Sequence, residues 1–108
     1  MRFRLEFSAE AEHDFALIFD HLFASYRAFG ETVEDALDHG EDRIRAIRAQ
    51  ADRLAEVPHR GERHDDLLPG LRHLTIDRAI YWFEVSETDQ RVRILAIFFG
   101  GQDHLRHM

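Results

Sequence analysis

Histidine is the residue type in this sequence with the widest choice of chemistry, because imidazole can bind a metal ion or exchange a proton near neutral pH. Two groups of histidines have suggestive spacing: His59, His64 and His73 in the middle of the chain, and His104 with His107 near its end. The chain has no cysteine to add a thiolate ligand. The acids beside the first group lie in a segment with loop composition. We therefore predict no metal site and no cofactor.

Other catalytic motifs are also missing. Without cysteine there is no thiol nucleophile and no disulfide bond. The pair Gly100-Gly101 lacks the lysine and the following helix that make a phosphate-binding loop. We find no arrangement of serine, histidine and aspartate that supports a hydrolase triad. These motifs therefore identify no catalytic residue, and they leave open whether the protein is an enzyme.

The composition indicates one globular domain over residues 1–108. Apolar residues make up 44% of the chain and charged residues 32%, as in ordered globular proteins. The formal net charge is −7, and this negative charge argues against sequence-specific DNA binding by the chain alone. All 14 basic residues are arginine. No signal peptide or apolar run of membrane length is present. We expect a cytoplasmic protein without membrane contact.

The first half of the chain predicts a strand and two helices. Alternating apolar residues predict a strand over residues 3–7, and Ser8 can cap a helix over 9–28. Thr32 begins a capping box for a second helix over 32–56. Apolar residues on the second helix recur in steps of four and three, which predicts a seam against the first helix. The seam consists of Val33, Leu37, Gly40, Ile44, Ile47, Ala51 and Leu54.

The second half predicts a loop over residues 57–70 and then strands over 71–76, 79–85 and 92–99. The last strand is the most apolar, so we expect it to be central. The predicted order is β-α-α-β-β-β, a two-layer α+β domain with the helical hairpin on one face of an antiparallel meander. The first strand must join the sheet at an edge or beside the last strand. The pattern does not show which sheet face is buried.

Several segments in this order resemble a known superfamily. The segments are the opening 3–11, the helical hairpin, Pro58-His59-Arg60-Gly61, 65–72 with Pro69-Gly70-Leu71-Arg72, Tyr81-Trp82-Phe83-Glu84-Val85 and the closing 92–103. Together they resemble the RelE/ParE superfamily of toxins from bacterial type II toxin-antitoxin pairs, over nearly the whole chain. The ParE branch is the more similar of the two branches.

The resemblance implies a toxin that is neutralised by a cognate antitoxin. RelE-type members cleave messenger RNA on the ribosome with a set of lysine, arginine and a late tyrosine or histidine, whereas ParE-type members lack that set. This chain has no lysine, and Phe99, Gly101 and Gln102 replace the usual histidine and two basic residues near the end of the last strand. The resemblance therefore implies a ParE-like inhibitor of DNA gyrase. It also implies a ribbon-helix-helix, ParD-like antitoxin partner in a hetero-oligomer.

Two alternatives stay open. The first is a ribosome-dependent messenger RNA endoribonuclease, which needs a base, an acid and a cation to stabilise the phosphorane. Arg72, His73, Arg78 and Tyr81 have suitable side chains, but nothing in the sequence places them together. The second alternative is a non-toxic relative that acts only as a binding module.

Two sets of residues are candidates for partner contact. The antitoxin set combines residues flanking the helical seam, a strip of arginines on the strands and two aromatic residues: Glu41, Arg43, Arg48, Arg72, Arg78, Arg91, Arg93, Tyr81 and Trp82. Alternation along the strand puts Trp82 on the face opposite to Tyr81 and Phe83. The resemblance implies that the last strand and the tail carry the toxic surface: Phe98, Phe99, Gln102 and Asp103.

Overall fold

The computed structural model describes residues 2–100. The elements are β1 (Arg4–Phe7), α1 (Ala9–Ala28), α2 (Val33–Glu56), β2 (Glu62–Arg63), β3 (Leu71–Ile76), β4 (Ala79–Ser86) and β5 (Arg91–Phe99). The predicted α+β order is confirmed. One strand was missed, since the two-residue β2 lies inside the segment predicted as a loop. Two residues are too few to show an alternating pattern.

Each helix begins at the predicted cap. The Ser8 hydroxyl accepts a hydrogen bond from the Ala11 amide at 3.0 Å, and the Thr32 hydroxyl accepts one from the Asp35 amide at 3.1 Å. Each bond satisfies an amide that has no partner within its helix, which is worth about 1 kcal/mol. The connection between the helices turns at Gly30, whose φ of 96° is accessible to glycine at little cost.

The five strands form one mixed sheet in the order β1-β5-β4-β3-β2. Strand β1 runs parallel to β5, and the other neighbouring pairs are antiparallel. The sequence left the first strand either at an edge or beside the last strand, and β1 occupies both positions. Strand β5 is hydrogen-bonded on both sides, although β4 is the middle strand of the five.

A β-bulge decides which residues of β5 are buried. Trp82 pairs with Ala96 and Phe83 pairs with Ile94, so Leu95 is an extra residue on β5. The bulge shifts the alternation by one position, and the buried residues are Val92, Ile94, Ile97 and Phe99. An uninterrupted strand cannot bury both halves of that set on one face. The bulge is therefore the reason why this strand looks apolar on both sides in the sequence.

The first helix is fastened to this bulge by polar contacts. The Ser8 hydroxyl donates to the Leu95 carbonyl at 3.0 Å while it caps α1. One turn and a half later, the Asp14 carboxylate accepts a hydrogen bond from the Ile97 amide, also at 3.0 Å. Ser8 is 3% exposed, so its buried hydroxyl depends on these partners. The contacts fix α1 over β5, the strand that forms most of the floor of the core.

The helical hairpin covers one face of the sheet, as predicted, but the seam of α2 is only partly correct. Gly40 lies where the two helices touch, since a Cβ there would come within 2.8 Å of the Phe19 ring. Val33 and Leu37 are exposed, whereas Ala36 is buried. The seam therefore starts later than the sequence pattern indicates. Among the described residues, no helix has the length and apolar content needed to cross a bilayer.

Candidate partner-binding surfaces

Two predicted arginines meet around Phe99, at one end of the sheet. The guanidinium carbons of Arg43 and Arg78 lie 5.4 Å and 5.1 Å from the centroid of the Phe99 ring. Both distances are within the range of cation–π attraction. The depression beside them, of about 520 Å³, is also lined by Phe29, which is 88% exposed. We call Arg43, Arg78, Phe99 and Phe29 the Phe99 end.

The Phe99 end holds the last described part of the chain in place. The Gly100 amide donates to the Arg78 carbonyl at 2.7 Å, and an Arg78 guanidinium nitrogen donates to the Gly100 carbonyl at 2.8 Å. The Phe99 side chain itself is 2% exposed. Its ring supports the two arginines rather than offering its own surface, and Phe98 is half-buried on the other face. The predicted target residues Gln102 and Asp103 lie outside the described residues.

A second surface lies between the two helices. This α1–α2 groove has a volume of about 420 Å³ and exposes more apolar than polar area. Its lining residues are Phe15, Ala16, Phe19, Glu41, Ile44, Arg45 and Arg48. Two predicted antitoxin-binding residues, Glu41 and Arg48, are among them. Ala16 and Glu41 are exposed on facing helices, so a segment that enters the groove meets both.

Arg48 is held across this groove by a two-pronged ion pair. Its two terminal nitrogens donate to the two Glu12 oxygens at 3.0 Å and 2.8 Å. The guanidinium also lies 4.3 Å from the Phe15 centroid and 4.8 Å from that of Phe7. Hydrogen bonding to Arg48 lowers the pKa of Glu12, and the same contact raises the pKa of Arg48. Arg48 is thus a fixed cation at the rim of the groove.

Tyr81 is not at any surface. Its ring is fully buried on the helix-covered face, and its hydroxyl donates to the Ile47 carbonyl at 2.7 Å. The hydroxyl lies 3.3 Å from the Gln50 side-chain oxygen, and burial raises the pKa of the phenol. The prediction that Tyr81 contacts the antitoxin is therefore wrong, because its position in the core makes it unavailable to a partner.

The face of the sheet away from the helices, which we call the open face, carries the predicted arginines of β5 among acids. Arg91 Nη2 lies 3.8 Å from both Glu84 Oε1 and Asp89 Oδ2, and Arg91 Nε lies 3.9 Å from Glu6 Oε2. Arg93 is exposed and is paired in register with Glu84 and Glu6. These cations are therefore largely compensated by neighbouring carboxylates.

The remaining predicted residues lie at the β2–β3 side of the sheet. Arg72 is half-buried and, with Arg91, lines a depression of about 530 Å³ near the loop that precedes β3. Trp82 is on the open face, opposite to Tyr81 and Phe83, and its ring centroid lies 4.8 Å from that of His73 and 5.0 Å from that of His64. The nine antitoxin candidates are thus spread over several surfaces rather than gathered at one.

The three histidines His59, His64 and His73, which the sequence grouped by spacing, are not all close together in the structure. His64 Nε2 lies 2.7 Å from His73 Nδ1, with Glu62 beside them, whereas His59 contacts Glu87 instead. Glu62 was not predicted as part of this group, because its closeness to His73 depends on the pairing of β2 with β3. His104 and His107 lie outside the described residues.

The four residues considered for RNA cleavage do not form one site. His73 is on the open face, whereas its neighbour Arg72 points to the other face of the same strand. Tyr81 is in the core, and Arg78 lies in the turn between β3 and β4. A base, an acid and a cation must reach one phosphate together. This set does not meet that requirement.

Neither a protein-family model nor a curated protein matches this sequence. Among solved structures, a chain of the chromosomal ParDE TA system from P. aeruginosa is 26% identical, with a TM-score of 0.62. That match covers 91% of this chain and 96% of the other. A chain of the toxin-antitoxin complex RelBE2 from Mycobacterium tuberculosis is 12% identical, with a TM-score of 0.65, and 94% of this chain and 95% of that chain are covered. The chain has the RelE/ParE-like fold.

Proposed function

We propose that this chain is the toxin of a type II toxin-antitoxin pair, that it is ParE-like, and that it acts on DNA gyrase. The observation that carries the proposal is the match to a chain of a ParDE system, which extends over nearly all of both chains at 26% identity. The absence of lysine from the sequence and the separation of Arg72, His73, Arg78 and Tyr81 favour this function over ribonuclease activity.

The α1–α2 groove is the proposed binding site for the antitoxin. It is lined mainly by apolar atoms and is bounded by charges of both signs, which suits an amphipathic helix laid along it. Such a helix would bury Ile44 and the Phe19 ring and place polar residues against Glu41 and Arg48. A ribbon-helix-helix, ParD-like antitoxin with a helical extension fits this description.

The Phe99 end and the residues that follow it are the proposed target surface. Arg43 and Arg78 supply positive charge there, in a chain whose net charge is negative, and Phe29 supplies exposed apolar area. The chain continues from Gly100 into the predicted contact residues Gln102 and Asp103. Neutralisation then works by occlusion, because an antitoxin that leaves the groove towards this end covers the surface that meets the target.

Induction in bacteria tests the toxin proposal. We expect growth arrest that co-expression of the neighbouring gene relieves, and inhibition of DNA supercoiling when the purified chain is added to gyrase. Primer extension on cellular messages separates the main rival, because only a ribosome-dependent nuclease creates new message ends within codons. Growth that is unaffected by induction would instead identify a non-toxic binding module.

A matched pair of alanines tests the groove. Ala16 and Ala24 are both exposed on α1, and Ala16 lines the groove whereas Ala24 does not. We expect Ala16→Glu to weaken antitoxin binding at least about tenfold, because the longer side chain fills part of the groove and its charge loses water when the antitoxin binds. Ala24→Glu should bind as the parent does. Equal antitoxin affinity for both variants, measured by calorimetry, would place the antitoxin elsewhere.

A truncation tests the target surface. A chain that ends at Gly101 keeps the hydrogen bonds between Gly100 and Arg78, so it should unfold at the parent temperature. Growth arrest should be lost, while antitoxin binding in the groove is retained. Arrest that persists in the truncated chain would exclude residues 102–108 from the toxic surface.

A further inference from the structure

The open face carries a cluster of metal-ligating side chains that plays no part in the proposed function. Glu62, His64 and His73 each offer one ligand atom, and these atoms lie within 4.8 Å of one another. They come from three places in the chain: β2, the residue just after it, and β3. We propose that these three residues bind one divalent transition-metal ion of the zinc class.

The two imidazoles each point one ring nitrogen towards the other. His64 Nε2 lies 2.7 Å from His73 Nδ1, and two ring nitrogens at that distance need a proton or a cation between them. Two imidazoles on a tetrahedral zinc ion, at bonds of about 2.0–2.1 Å, would place these nitrogens roughly 3.3 Å apart. To bind one ion, both rings must turn so that His64 Nε2 and His73 Nδ1 point at a common position rather than at each other.

The carboxylate lies within reach of the same point. Glu62 Oε2 is 4.0 Å from His64 Nε2, and its side chain is 70% exposed and therefore able to turn inwards. Its 3.6 Å contact with His73 is to Nε2, the ring nitrogen that stays off the metal when Nδ1 binds it. Two imidazoles and one carboxylate form a ligand set that suits zinc better than the hard cations magnesium and calcium. Water would fill the fourth position.

The backbone is built to hold these ligands together. Glu62 is paired in register with His73, and the His64 amide donates to the Leu71 carbonyl at 2.8 Å. Gly61 permits the close approach of β2, because it has a φ of 85° and a Cβ there would lie 2.3 Å from the His73 carbonyl oxygen. Any other residue would push β2, and with it Glu62, away from His73.

Trp82 packs against both histidines, so its fluorescence can report metal binding at this cluster. Its ring is stacked on that of His73 at 4.8 Å and lies 5.0 Å from His64, so one side of the histidine pair is covered by an apolar ring. Trp82 is the only tryptophan in the sequence. An ion at the proposed site therefore lies next to the only indole fluorophore of the chain.

The experiment uses the tag-free full-length chain after removal of trace metals. Zinc chloride is titrated by calorimetry, and cobalt chloride is titrated while the tryptophan emission is followed, since a bound cobalt ion quenches a nearby indole. We expect one zinc ion per chain at the Trp82 site and strong quenching of the emission by cobalt. Zinc should also raise the unfolding temperature, because it binds only the folded arrangement.

Three variants decide between this site and other histidines. His64→Gln and His73→Gln should each lower the zinc affinity at least about tenfold and remove the cobalt quenching. His39→Gln is the matched control, because His39 also lies beside a carboxylate, that of Glu31 at 2.7 Å, but far from Trp82. It should leave both signals unchanged.

The proposal is wrong if zinc does not bind the parent chain. It is equally wrong if saturating cobalt leaves the Trp82 emission unchanged, or if the two cluster variants bind as the control does. These outcomes are independent of growth arrest and of antitoxin binding. If the metal site is disproved, the proposed toxin function is therefore unaffected.

Discussion

The two faces of the sheet are built on opposite principles, although the same strands form both. Under the helices, Tyr81, Phe83 and Ile94 are fully buried among other apolar side chains, and the tyrosine hydroxyl donates to a helix carbonyl. On the open face, the neighbouring positions carry Trp82 against two histidines and Arg91 among three acids. Consecutive residues of β4 thus belong to a dry core and to a wet, charged surface.

The two faces of β4 therefore have different roles: the covered face stabilises the fold, and the open face is available for binding. Burial of apolar area stabilises the covered face, since each large side chain contributes roughly 1.5–3 kcal/mol. The ion pairs of Arg91 on the open face contribute little, because they are long, at 3.8–3.9 Å, and remain partly solvated. Substitutions on the covered face should therefore act on folding, and substitutions on the open face should act on binding with small effects on folding.

The largest expected effect is at Phe83. Phe83→Ala removes a fully buried ring from the centre of β4, and we expect a loss of about 3–5 kcal/mol in the free energy of unfolding. Urea denaturation followed by circular dichroism measures it. A loss of less than about 1 kcal/mol would mean that the covered face is not the main source of stability.

A smaller effect is expected from the buried hydroxyl of the same face. Tyr81→Phe keeps the ring but removes the hydrogen bond to the Ile47 carbonyl, at an expected cost of about 1 kcal/mol. Antitoxin binding should be unchanged, because Tyr81 is not at the surface. Weaker antitoxin binding at unchanged stability would contradict the placement of this residue in the core.

Arg91 tests the open face. Arg91→Gln removes the cation that lies near Glu6, Glu84 and Asp89, and we expect a loss below about 1 kcal/mol. The loss should shrink at high salt, because screening weakens both the lost attraction and the repulsion left among the acids. Unfolding measured at low and high salt checks it. A loss as large as that of Phe83→Ala would abolish the distinction between the faces.

The smallest effect concerns the ion pair at the groove and depends on pH. Arg48 lowers the pKa of Glu12 in the folded chain, so the pair stabilises the fold above the usual glutamate pKa. The contribution is lost as the pH falls through the lowered pKa. Glu12→Gln should therefore cost about 0.5 kcal/mol at about pH 7 and almost nothing at about pH 2. Parallel denaturation curves show whether this pH dependence is present.

Most of the element order was predictable because its signals are local. Ser8 and Thr32 mark helix starts by capping chemistry, and the turn at Asp77 separates two short runs of strand-forming residues. For the first strand the chain order left two positions, at an edge or beside the last strand, and β1 lies at an edge beside β5. Strand β2 was missed, since its two residues are set by pairing with β3 rather than by their own pattern.

The candidate surfaces were less predictable because they depend on which residues become neighbours. Arg43 and Arg78 are 35 positions apart and meet only because Phe99 packs between their elements. The buried state of Tyr81 and the exposed state of Val33 were likewise not apparent from helical or strand spacing. Glu62 joined the histidines only through the backbone contact at Gly61.

The sequence by itself determined the caps, the helical hairpin and the order of the elements other than β2, because these follow from periodicity and from residues adjacent in the chain. The likeness to the RelE/ParE superfamily came from motifs read in that order. Only the tertiary structure decided which face of the sheet is covered. The reason is the bulge at Leu95, which shifts the alternation of β5 by one residue and turns Ile97 and Phe99 towards the helices. A single extra residue thus decided which side chains in the second half of β5 are buried.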